Sequence, residues 1–173
     1  MRIKSFLAVI AVLLASANSF TQTKKFVVVG RYEIVVDTTQ LIKKIIDSCR
    51  FDAVDREIVR QAPSQNAIHL GQKYELQILY FDGNVNSEEV LLAMSANNLE
   101  PANILEAGYF TLQYPKNKKQ FLVFLGTVWF GGGRRDGVPI LDYADSNHYL
   151  YLIYVDVIWD YHFRFAAVKK SEK

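Results

Sequence analysis

The segment from Phe121 to Val168 constrains this chain more than any other. It reads FLVFLGTVWF, GGGRRDG, VPILDY, ADSNH and YLYLIYVDVIWDYHFRFAAV, so apolar runs rich in aromatic and branched residues alternate with polar, Gly- and Asp-rich connections. That punctuation predicts strands over Gln120–Phe130, Val138–Tyr143, Tyr149–Val157 and Tyr161–Lys169. The first and third are almost continuously apolar, the pattern of central strands covered on both faces. Both tryptophans, Trp129 and Trp159, and two of the three histidines fall in this segment.

Upstream, FVVVGRYEIVVD (26–37) alternates with Tyr32, Ile34 and Val36 on one side, a half-buried strand. Asp37 or Thr38 then caps a helix that places Leu41, Ile42, Ile45, Ile46 and Cys49 on one face. Cys49 therefore reads as core. Phe51–Arg60 holds a short helix or turn, and Pro63–Asn66 is a loop. A second alternating strand, KYELQILYFD, sets Tyr74, Leu76, Ile78 and Tyr80 on one side and ends at Asp82-Gly83-Asn84. Asn86 with Glu89, and Asn103 with Glu106, are two capping boxes that start two helices. Val90, Leu91, Leu92 and Met94 form the first helix's apolar stripe, Asn97-Asn98 stops it, and Pro115 ends the second. The expected fold class is α+β: a strand–helix–strand piece over 24–82, then two helices and an antiparallel sheet over 84–170.

The N-terminus places Arg2 and Lys4 before the apolar run Phe6–Ala15 and a stretch of small residues, the layout of a secretory signal peptide over residues 1–19. The run is shorter than the roughly 20 residues of an ordinary membrane span. The expected location is outside the cell, in the periplasm or at the cell surface, with no stable membrane insertion once the signal is gone. Removing it takes two basic residues and no acid, leaving 18 basic against 18 acidic residues. A chain without net charge is a poor nucleic-acid binder. A single cysteine allows neither an intrachain disulfide nor a cysteine zinc cluster.

The succession RYEIVVDTTQLIKKIIDSCRFDAVD, SEEVLLAMSANNLEPANILEAGYFTLQYP, FLVFLGTVW, GGGRRDGVPIL and WDYHFRFAAVKK resembles a family of small uncharacterised bacterial proteins common in candidate-phylum bacteria. Asp37, Pro101-Ala102-Asn103, Leu125–Trp129, Val138–Leu141, Trp159 and Arg164–Val168 occupy the matching places, over roughly residues 30–170. Asn103, Thr127 and Ala166 depart from the family's Thr, Ser and Leu, and many relatives lack a signal peptide. The family's C-terminal part resembles a C-type-lectin-like domain. That resemblance implies a fold and a loop-rich binding surface; it implies no particular activity.

Several residue groups invite chemistry. Gly131-Gly132-Gly133 with Arg134 and Arg135 offers donors for an anion, yet it lacks the Lys-Ser/Thr of a phosphate loop and no helical pattern follows, so it reads as a hairpin connection. Asp142, Asp145, Asp156 and Asp160 are oxygen donors of the kind calcium takes, but Glu100-Pro101-Ala102-Asn103 and Trp159-Asp160 only approximate the calcium-lectin motifs. His69, His148 and His162 are too dispersed for a zinc site. No metal and no cofactor is expected. The better candidate is an aromatic-rich face including Trp129, Phe130, Tyr143, His148, Tyr149 and Trp159, with the two tryptophans as core plugs. Its exposed contact residues are expected to be Arg134, Arg135, Asp136, Asp145, Asn147, Asp160, Tyr161 and His162. They lie on the loops after Trp129, Tyr143 and Val157, read as sharing one end of the sheet. The leading expectation is a non-enzymatic binding module for a protein or glycan surface. The alternatives are an oligomerising envelope subunit, or a hydrolase using Asp142 and Asp156 as paired carboxylates.

Overall fold

The computed structural model describes residues 23–37, 41–60, 72–116, 121–130, 135–144 and 147–169. The expected signal segment 1–19, the loop at Pro63–Asn66, the glycine run, Arg134 and Asp145 lie outside them. The chain is an α+β protein. Its elements are β1 (Phe26–Val36), α1 (Ile42–Cys49), β2 (Ala53–Val54), α2 (Arg56–Arg60), β3 (Gln72–Phe81), β4 (Val85–Asn86) and α3 (Ser87–Ala96). Then follow β5 (Leu99–Pro101), α4 (Ile104–Gln113), β6 (Leu122–Val123), β7 (Gly137–Ala144), β8 (Asn147–Tyr154), β9 (Ile158–Trp159) and β10 (Arg164–Lys169).

One mixed sheet runs β1-β3-β10-β6-β7-β8-β2, with β5 also on β10, while β4 and β9 form a separate pair. Strands from both sides of residue 83 share this sheet, because β3 pairs with β10 and β2 with β8. The central strands are buried on both faces. On one face Leu76, Ile78, Leu141, Tyr143, Ala166 and Val168 pack with α1, α2 and α4. On the other, Leu79, Phe81, Val138, Ile140, Phe165 and Ala167 pack with α3 and Trp159. This is why both parities of these strands are apolar in sequence.

β1 serves both cores by a bulge. Val28 pairs with Leu79 and Gly30 with Ile78, so Val29 is an extra residue in the ladder. Phe26 and Val28 therefore join the α3 side, and Tyr32, Ile34 and Val36 join the α1–α4 side.

Both capping boxes form: Asn86 with Glu89 and Asn103 with Glu106 bond reciprocally. Cys49, Trp129 and Trp159 are buried. Four expectations need correction. Helix α1 starts at Ile42 with Leu41 at its cap position and no side-chain cap from it, so Asp37 is not its cap residue, and Thr38 lies outside the described residues. In α3 the buried face is Ser87, Val90, Ala93 and Met94, and Leu91 and Leu92 are exposed. The long strand expected over Gln120–Phe130 shrinks to Leu122–Val123 plus a bridge from Trp129 to Gly137. There the chain leaves the ladder to meet the start of α4: Gly126 N–H donates to the Ala102 carbonyl, and the Thr127 hydroxyl accepts from Ile104 N–H at 3.0 Å. A β-carbon on Gly126 would lie 2.3 Å from the Pro101 carbonyl oxygen, so the close approach requires glycine. The strands expected over Tyr149–Val157 and Tyr161–Lys169 are trimmed to end at Tyr154 and begin at Arg164. No helix among the described residues is long and apolar enough to cross a membrane.

Candidate functional site

The β7–β8 hairpin decides where the expected contact residues go. Its ladder runs from Ala144 opposite Asn147 to Gly137 opposite Tyr154. At the Gly137 end, Trp129 exchanges both backbone hydrogen bonds with Gly137, at 2.7 and 3.0 Å, so Trp129, Gly137 and Tyr154 stand side by side. Trp129 is buried at 6% exposure, whereas the next residue, Phe130, is 76% exposed. Within the described residues the buried indole N–H of Trp129 has no hydrogen-bond partner.

Arg135 and Asp156 extend the same ladder past its last pair. The guanidinium grips the carboxylate with Nε to Oδ2 at 2.9 Å and Nη2 to Oδ1 at 2.6 Å. It also lies 4.6 Å over the ring of Tyr154, which is 49% exposed. This fork combined with stacking holds a long side chain in one conformation. Val155 N–H donates to the Asp136 carbonyl at 3.0 Å. Ser87 Oγ donates to the Val155 carbonyl and accepts from Trp159 Nε1, pinning the turn to α3. Arg135, Tyr154 and Asp156 thus make one exposed, braced cluster in which Asp156 balances Arg135; exposed Phe130 and half-buried Asp136 lie at the same end of the hairpin on the alternate parity of the ladder.

The other expected residues are elsewhere. Asn147 starts β8 at the opposite end of the hairpin, seven strand residues or roughly 23 Å from Gly137. Beside it His148 is structural: its backbone N–H donates to Asp52 Oδ2, its Nε2 meets the Cys49 carbonyl at 3.2 Å, and its ring packs on Phe51 and Tyr143. Asp160, Tyr161 and His162 form the turn before β10, at the end of the sheet where β6 and β8 begin. Asp160 accepts from His162 N–H and meets His162 Nδ1 at 3.1 Å. The backbone hydrogen bond, helped by the His162 ring, holds the Asp160 carboxyl below the usual carboxylate range. Tyr161 lies on the His162 ring with centroids 4.0 Å apart. The loops expected to share one end are therefore divided, with Arg135 and Asp136 at one end and Asn147, Asp160, Tyr161 and His162 at the other. An antiparallel hairpin necessarily puts the loop that enters it and the turn that closes it at opposite ends.

Asp142 and Asp156 do not pair either. Asp142 faces Tyr149, and Asp156 lies two residues beyond Tyr154, so roughly 23 Å of strand separates their levels. That is too far for the two carboxyl groups of a glycosidase. Burial raises the Asp142 carboxyl above its ordinary range. Burial also pushes the Cys49 thiol up to about 12, and that thiol donates to the Gly108 carbonyl, so it is no nucleophile. Among the described residues no three His, Cys, Asp or Glu side chains are placed to hold a metal ion. A shallow groove of about 290 Å³ crosses the β1–β3 ladder, where Arg31–Glu75 and Lys73–Glu33 pair off its charges.

Sequence reasoning passed over Tyr154 as a contact residue and considered Asp156 only as a calcium or catalytic carboxylate. The pairing of Ala144 with Asn147 fixes every later pair and sets Arg135 opposite Asp156, whereas the sequence pattern ended the two strands at Tyr143 and Tyr149 and left the register open. No protein-family model, curated protein or solved structure matches this chain.

Proposed function

We propose that this protein is an exported, non-enzymatic binding module whose contact surface is the end of the β7–β8 hairpin that carries Phe130, Arg135, Asp136, Tyr154 and Asp156. The observation that carries the reading is Phe130, an aromatic side chain left three-quarters exposed next in sequence to the buried Trp129, at the hairpin end that also holds the braced Arg135–Tyr154 stack. Rigid aromatic and arginine side chains give large contact area at small entropic cost, and they dominate binding hot spots. Because Asp156 neutralises Arg135 and Asp136 adds a second carboxylate, the face suits an uncharged glycan or a protein surface better than a polyanion. Export rests on residues 1–19, and the C-type-lectin-like reading of residues 84–170 rests on two capped helices followed by strands.

The test is a screen of the chain from residue 20 onward on a glycan array and on purified envelope proteins, with and without calcium. Phe130→Ser with Tyr154→Ala is the face variant, and Asn147→Ala with Tyr161→Ala is the control. Binding that drops more than tenfold in the face variant and persists in the control supports the reading. Binding lost in the control and kept in the face variant moves the site to the other end of the sheet.

A further inference from the structure

Among the described residues β1 is the outer strand of the sheet and pairs with one strand, β3. An open strand edge is a template for another chain unless something covers it. Three side chains from the end of α4 cover part of this one. The Gln113 amide accepts from Val35 N–H at 3.0 Å through Oε1 and donates to the Val35 carbonyl at 2.7 Å through Nε2. It reproduces the two bonds that a neighbouring strand would make to that residue. Tyr114 Oη donates to the Glu33 carbonyl at 2.7 Å, and Tyr109 Oη to the Asp37 carbonyl at 3.0 Å. Glu33, Val35 and Asp37 are alternate residues, so these are the backbone groups that point away from β3. The helix end is clamped there by Tyr32, whose ring packs edge-on against Phe110 and Tyr114 at 5.1 and 5.0 Å.

We infer that Gln113, with Tyr114 and Tyr109, is an edge guard that keeps β1 from pairing with β1 of a second copy of this chain. The stretch Phe26–Arg31, whose edge no described side chain covers in this way, contains neither proline nor an inward charge, and exposes Val27 and Val29. Its bulge at Val29 is its other protection. Two such strands meeting antiparallel over more than about six residues would have to run into Glu33–Asp37. There the side chains of Gln113 and Tyr114 already occupy the partner's place. The guard therefore caps the length of any self-pairing.

The test is light scattering across a concentration series on the wild type, on Gln113→Ala/Tyr114→Phe, and on that variant with Val35→Pro added. Proline removes the N–H that a second copy would use and is tolerated on an edge strand. The expected result is a concentration-dependent rise in mass for the double variant that Val35→Pro abolishes. The Val35 amide, read at low concentration, should exchange about tenfold faster in Gln113→Ala. A folded double variant with wild-type mass at every concentration overturns the inference, as does association that Val35→Pro leaves intact. Should the double variant fail to fold, Gln113→Ala alone is read for the same rise in mass, and its absence is equally decisive.

Discussion

Glu106 is a carboxyl group whose ionisation the fold resists. It is 6% exposed, and its Oε2 accepts from Asn103 N–H at 2.7 Å in the capping box of α4. Burial raises its carboxyl from 4.5 to about 7, the Asn103 bond opposes that rise, and Glu100 adds to it. A raised folded value means that the native state holds the proton more tightly than the unfolded chain. The stability due to that proton is complete below about pH 4.5 and is lost as pH rises through about 7. At 1.36 kcal/mol per unit, the full loss is about 3 kcal/mol, most of it between pH 5 and 8. Glu106→Gln keeps an oxygen for Asn103 N–H and removes the charge. Urea unfolding from pH 5 to 8 should show the wild type losing about 2 kcal/mol relative to this variant. A difference between the two proteins that stays constant over that range would refute the argument.

Three further outcomes follow from the packing. Gly108→Ala places a β-carbon 2.4 Å from Ile45 Cγ2 where α1 crosses α4; overpacking should cost about 1–3 kcal/mol in urea unfolding, and less when Ile45→Ala is added. Ser87→Ala strands the Trp159 indole N–H and the Val155 carbonyl, so a loss of about 1–3 kcal/mol is expected, together with faster amide exchange from Val155 to Trp159. Asp156→Asn loosens the fork on Arg135 at an exposed site; the melting temperature should barely move, while ligand affinity in the proposed module should fall. Unchanged urea midpoints in the first two cases would count against the close crossing and the buried Ser87 link.

Much of the local structure was legible because its causes are local. Asn86–Glu89 and Asn103–Glu106 are capping boxes by spacing alone, and the helices start there. Cys49 lies on the apolar face of α1 by helical period, and it is buried. The strand from Gln120 to Phe130 was over-read because apolar runs do not reveal where a ladder stops. What ends it, Gly126 against Pro101 and Thr127 on Ile104, is contact with a segment more than twenty residues earlier. The candidate site was half legible. Arg135 and Asp136 were named, but grouping them with Asn147 and Tyr161 required a hairpin to bring both its ends together.

By itself, then, the sequence determined the α+β class, the starts of α3 and α4 and most of the residues committed to the core, since these follow from periodicity and from hydrogen bonds within one turn. Only the tertiary structure decided that β3 lies beside β10, that Val29 is the extra residue carrying β1 from one core to the other, and that Gln113 covers the edge. Those outcomes depend on which surfaces meet across the sheet. That is set by the joint burial of distant apolar faces, and no local pattern encodes the partner.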